Sequence, residues 1–163
     1  MSYNTVQYLK TDPRARYQGY TFFFKEGFCW NNVLNPQARL LKAKMKTASV
    51  NDVGAMSLST IYTQTPNYYF VSILNSNLLF NYYRTFINCS VNIQINDIRM
   101  LPVIIPTQHE LKAIEPLFRR AVEIRKDEYS NALSINNSEE ELKDIEQRID
   151  KYIDELYSVY ISD

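Results

Sequence analysis

Apolar positions follow two different rules along this chain, and the change falls near residue 106. Before it they come in short, often alternating runs, as strands require; after it they recur every three or four residues, as on one helix face. In the first part, YTFFF (20–24) and FCW (28–30) read as strands, with residues 25–27 turning between them. The segment 39–47 alternates toward its C-terminal end, which places Lys42, Lys44 and Lys46 on one face and Ala43 and Met45 on the other. A polar connector (49–55) then leads to a strand at 56–63. Residues 67–87 fit either a strand and a helix or two short helices broken at Asn75 and Ser76. The second is preferred, because Ser76 is a good N-cap and puts Leu79, Phe80, Tyr83 and Phe86 on one helical face. VNIQI (91–95) reads as a strand, and PVIIP (102–106) as an extended segment bounded by prolines. The first nineteen residues are weakly patterned and read as a lead-in.

After Pro106 the helical signals are strong. Thr107 and Glu110 form a capping box, followed at helical spacing by Leu111, Ile114, Phe118, Ala121 and Val122, and Pro116 predicts a kink. The pattern fades near Ser134, residues 134–138 supply a polar loop, and Ser138 with Glu141 forms a second capping box. Leu142, Ile145, Ile149, Tyr152, Leu156 and Val159 then follow at alternating separations of three and four, a heptad seam. Two helices joined by so short a loop form an antiparallel hairpin, either a spacer or a lid on the rest of the protein. The expected fold is therefore α+β: a β-rich core with short helices over 20–107, then a long helical hairpin over 108–163.

Charge sharpens this division. The 18 basic and 18 acidic side chains cancel overall, yet residues 1–107 hold ten basic against four acidic groups, a net of +6, and residues 108–163 hold eight against fourteen, a net of −6. Only the first part suits a polyanion. Alternate lysines on a strand project about 7 Å apart, so Lys42, Lys44 and Lys46 can follow a phosphate backbone. Arg39, just before them, can grip a base edge with two hydrogen bonds, and Lys25 adds a further cation. Asn31 and Asn32, after Trp30, carry amides of the kind that pair with adenine. The competing reading gives the lysines a solubilising role and the heptad seam a protein partner.

Catalytic chemistry finds little support. The three glycines stand alone, which rules out most phosphate-cradling loops, and neither G-x-G-x-x-G nor a Walker sequence occurs. His109 is the single histidine and falls in a first helical turn, and no serine sits in a G-x-S-x-G elbow. Cys29 and Cys89 form neither a disulfide framework nor a zinc motif and read as buried free thiols. Thr65-Pro-Asn-Tyr-Tyr-Phe70 is similar to the Asn-Pro-Pro-Tyr motif of amino-methyltransferases, but its order differs, and a turn before an aromatic element is the better account. The absence of a run of about 20 apolar residues and of an apolar leader segment points to a cytoplasmic protein with no membrane partner.

The order of elements carries a resemblance. Lys25-Glu-Gly-Phe-Cys-Trp30 precedes the basic segment. Ser-Ile-Leu-Asn-Ser-Asn-Leu-Leu (72–79), Ile-Asn-Asp-Ile-Arg-Met-Leu-Pro-Val-Ile-Ile-Pro (95–106) and a helix opening Gln-His-Glu-Leu (108–111) come next. This resembles the target-recognition (specificity) domain of Type IIG restriction–modification enzymes and TaqI-like adenine methyltransferases. It is also similar to Type I specificity subunits, whose spacer helices end much like Arg-Ile-Asp-Lys-Tyr-Ile-Asp-Glu-Leu-Tyr (148–157). Ser158 stands where that family usually has glycine, and Asn88 and Cys89 lie where another is common. The resemblance implies a non-catalytic recognition module with double-stranded DNA as its partner. It further implies a methyltransferase domain in the same polypeptide, outside this chain, that binds S-adenosylmethionine and methylates adenine.

Overall fold

A computed structural model describes residues 3–14, 19–51, 54–60, 64–130 and 135–161. The fold is α+β, with a small sheet inside a largely helical molecule. The chain opens with helix α1 (Tyr3–Thr11), which buries none of its residues. The weakly patterned lead-in thus contains a helix at its described start, and that helix is peripheral. Three strands follow: β1 (Gly27–Asn31), β2 (Lys44–Lys46) and β3 (Ala55–Leu58), antiparallel in the order β2-β1-β3. Phe28 faces Met45 on one side and Leu58 on the other, and its ring stacks on Phe70 at 5.2 Å between centroids.

Helices α2 (Asn67–Leu74) and α3 (Asn77–Tyr82) are separated at Asn75 and Ser76, as their pattern predicts. Ser76 Oγ accepts the Leu79 N–H at 3.2 Å and so caps α3. The chain then widens into a π-helical turn, Tyr83–Ile87. That change of period explains why Leu79, Phe80 and Tyr83 are buried while Phe86, expected on the same face, is exposed. A short α4 (Ile95–Arg99) precedes the two long helices α5 (Gln108–Tyr129) and α6 (Ile135–Ile161).

Several expected strands take other forms. YTFFF contains a 3-10 turn at Tyr20–Phe22. VNIQI contributes one bridge, Val33 with Asn92, before α4 begins. There Asp97 Oδ2 accepts the Gln94 N–H at 2.9 Å, a local helix start that overrides strand propensity. The 102–106 segment is extended but joins no sheet, since its prolines lack the N–H a sheet needs. Two buried phenols hold it instead: Tyr157 donates to Pro102 O at 2.7 Å and Tyr69 to Ile104 O at 2.8 Å. Of the strand expected at 56–63, residues 61–63 lie outside the described residues, as does Ser134 of the expected 134–138 loop.

The hairpin is antiparallel, with Glu128 beside Ser138 and Arg120 beside Glu141. The Thr107–Glu110 capping box is present in both directions, and α5 continues through Pro116. Ser138, expected as an N-cap, lies inside α6, and its hydroxyl donates to Glu128 Oε1 at 2.5 Å. The seam also departs from a heptad. Leu142, Ile145 and Leu156 are buried, but so are Ile153 and Tyr157, while Val159 is 67% exposed. Spacing of four from Ile149 to Ile153 to Tyr157 follows the 3.6-residue period of a straight helix, so the apolar face drifts off a supercoiled seam. That face meets the protein's own core: Leu111, Ile114, Ile153, Leu156 and Tyr157 pack in one cluster with Phe28, Trp30, Tyr69 and Ile93. Farther out, Ile124, Leu142 and Ile145 join the hairpin to itself. Segments 20–107 and 108–163 therefore share one core.

Candidate nucleic-acid interface

The expected ladder of Lys42, Lys44 and Lys46 is broken at its first member. Leu41 and Ala43 are both buried, and between them Lys42 adopts a left-handed backbone, φ 53°. The strand begins only at Lys44, so Lys42 is turned out of the alternation that would align it with Lys44 and Lys46. What holds this turn is Asn75 at the end of α2. Its Oδ1 accepts the Ala43 N–H at 2.7 Å and its Nδ2 donates to Ala43 O at 2.9 Å. The side chain thus acts as a neighbouring strand would, and it fixes the basic loop onto the helical layer.

Lys46 is the clearest departure. It is 7% exposed, and its ammonium donates to Lys25 O and Ser49 O at 2.6 Å each and to Thr47 O at 3.3 Å. Those carbonyls, turned inward around it, occupy the group that a phosphate would need. Lys44 is exposed on the same sheet face, beside Cys29. Cys29 is buried, which raises its thiol pKa, and the lysines at 44 and 46 oppose the rise only partly. Cys89, expected buried, is exposed.

Lys25 is exposed at the Gly27 end of β1, its Nζ 5.6 Å from the centre of the Phe22 ring. Asn31 and Asn32 lie at the opposite end, about 13 Å along the strand at the usual rise. Asn31 is exposed and Asn32 half-buried, the latter's backbone bonding Gly54 O and the Ile93 N–H. Trp30 is core, at 1% exposure. The structure thus brings Arg39 and Lys42 together along one lining, leaves Lys44 exposed on the sheet and Lys25 exposed beyond the Gly27 end of β1, and sets the asparagines at that strand's other end.

The two halves also use their cations differently. Among the described residues, Lys25, Arg39, Lys42 and Lys44 pair with no carboxylate, whereas Arg119, Arg120, Arg125, Arg148 and Lys151 of the hairpin all do. The firmest of these is the two-point contact of Arg120 with Glu141, at 2.7 and 3.0 Å, which raises the arginine's pKa and lowers the carboxylate's.

Between the basic loop and the hairpin lies a groove of about 580 Å³. Arg39, Leu40 and Lys42 form one bank, Arg125, Lys143 and Glu146 the other, and Val71, Phe118 and Ile149 are on its floor. Neither Asn75 nor Lys143 stood out in the sequence as a functional residue. Leu74-Asn75-Ser76 was visible as a motif, but its partner is 32 residues away. Lys143 could have been found by projecting α6 as a helix, where it falls beside the buried Leu142 and Ile145 stripe. Among the described residues no cluster of His, Cys, Asp and Glu is arranged to hold a metal, and no helix is long and apolar enough to cross a membrane. No known family model, curated protein or solved structure matches this chain.

Proposed function

We propose that this chain is the DNA-recognition module of a restriction–modification enzyme, gripping duplex DNA while a methyltransferase domain outside this chain performs the chemistry. The observation that carries the reading is that Lys25, Arg39, Lys42 and Lys44 have no carboxylate partner among the described residues, on a protein that pairs most cations of its other half. Cations that no carboxylate neutralises are available to release counterions from a polyanion. Lys25, Lys42 and Lys44 act as point charges that position the backbone, and Arg39 supplies the planar fork suited to guanine. Asn31 and Asn32 serve as a separate edge contact for bases farther along the groove. S-adenosylmethionine belongs to the catalytic domain.

Fluorescence anisotropy with a labelled duplex across a salt series tests the reading. Neutralising four phosphates gives a slope of log K against log[salt] near about −3.6. Absence of binding at low salt, or binding indifferent to salt, rejects it. The alternative of a partner docked on the heptad seam is disfavoured, because Leu142, Ile145 and Leu156 are already buried within the chain.

A further inference from the structure

We infer that the groove between the basic loop and the helical hairpin seats a stretch of phosphodiester backbone, with Lys143 of α6 as its far-side contact. This rests on the DNA-binding reading and extends it to the acidic half of the chain, where composition gives no reason to look. Four observations converge on the groove. First, Lys143 is exposed and forms no ion pair among the described residues, although Glu139 and Glu146 stand one helical turn away on either side. Arg148 and Lys151, on the same helix, each take an acidic neighbour at that spacing. Lys143 instead lines the groove.

Second, Arg39 and Lys42, which form no ion pair among the described residues, line the same groove from the basic loop. Third, the lining cations outnumber the carboxylates: Arg39, Lys42, Arg125 and Lys143 stand against Glu146 and Asp150, the latter accepting from the backbone N–H of Asn77 at 2.8 Å and from the Asn77 side-chain amide at 2.5 Å. Arg125 is held by Glu128 at 2.8 Å and contributes less. Fourth, the floor is apolar, formed by Val71, Phe118 and Ile149 among others. Water displaced from such a floor lowers the local dielectric, and an anion at the rim then feels each cation more strongly. The strained backbone at Lys42, fixed by the Asn75 clamp, keeps one bank in place before any ligand arrives.

The experiment compares the whole 163-residue chain with Lys143→Gln, Lys126→Gln and Lys42→Gln, each checked for folding by circular dichroism. Lys126 lies on the same hairpin but does not line the groove, so its variant controls for the loss of one charge. Anisotropy is measured over a salt series with duplex DNA and, in parallel, with poly-glutamate. Lys143→Gln is expected to reduce the magnitude of the salt slope for DNA by about 0.9, one phosphate contact, with Lys126→Gln leaving it unchanged. If Lys143→Gln behaves like Lys126→Gln while Lys42→Gln flattens the slope, the groove assignment fails and the DNA-binding reading stands. If the unaltered chain does not bind DNA in a salt-dependent way, both fail. Loss of poly-glutamate binding in Lys143→Gln, with DNA binding intact, overturns the assignment in favour of an acidic protein segment.

Discussion

Lys44 and Lys46 are two residues apart on one strand, bear the same charge, and do opposite work. Lys44 faces solvent, and Lys46 draws three backbone carbonyls around its ammonium. The difference arises from what lies over each: the 47–49 turn folds back across Lys46 and supplies oxygens that a buried cation requires. Lys46→Ala should therefore destabilise the fold by about 1–3 kcal/mol, because it leaves inward carbonyls without a donor, while the salt slope for DNA stays as it was. Lys44→Ala should do the reverse, leaving the urea midpoint almost unchanged and lowering the magnitude of the slope by about 0.9. Parallel denaturation and anisotropy measurements on the pair check both outcomes. Asn75 offers a third case at this scale. Asn75→Ala removes two hydrogen bonds to Ala43 and should cost about 1–3 kcal/mol in the same denaturation assay.

At the scale of elements, the central strand depends on one glycine. A Cβ on Gly27 would stand 2.2 Å from Leu58 O and 3.1 Å from Ser59 Oγ, so the close approach of β1 and β3 requires its absence. The obstructing atom is backbone, and Ser59 Oγ already bonds Glu26 O at 2.9 Å, so neither can yield cheaply. Gly27→Ala should lower stability by about 2–3 kcal/mol, read as a shifted urea midpoint. Elements whose cues are local were the legible ones: Ser76 capping α3 and the Thr107–Glu110 box starting α5 involve residues three apart. Elements that need a distant partner were not. YTFFF has strand composition but turns as a 3-10 helix, and the alternation in 39–47 is broken at Lys42, whose neighbour Ala43 is held by Asn75. The same limit applied to the site. The cationic surplus was visible in composition, but burial of Lys46 and the groove's far bank depend on tertiary folding, to which single-sequence periodicity is blind.

Over the whole molecule, buried phenols set the alkaline limit. Burial raises the pKa of Tyr69 well above the ordinary 10.0, and burial together with the nearby Asp97 charge pushes Tyr83 up to about 12. A raised acid is neutral in the folded chain, so below pH 10 neither group makes stability depend on pH. Above it the unfolded chain releases protons that the folded chain keeps, and stability falls by about 1.4 kcal/mol per pH unit for each group. For Tyr83 the decline levels off past about 12. Urea titrations between neutrality and about pH 11 should show this fall, with Tyr83→Phe giving a shallower one. The arrangement that buries these rings has a bearing on synthesis as well. Ile153, Leu156 and Tyr157 seal a centre that also holds residues far earlier in the chain, Phe28 and Trp30 among them. A nascent polypeptide emerging from the ribosome must keep that apolar interior uncovered until α6 has cleared the exit tunnel. Stop codons between α5 and position 157 should consequently yield aggregating products rather than smaller working ones.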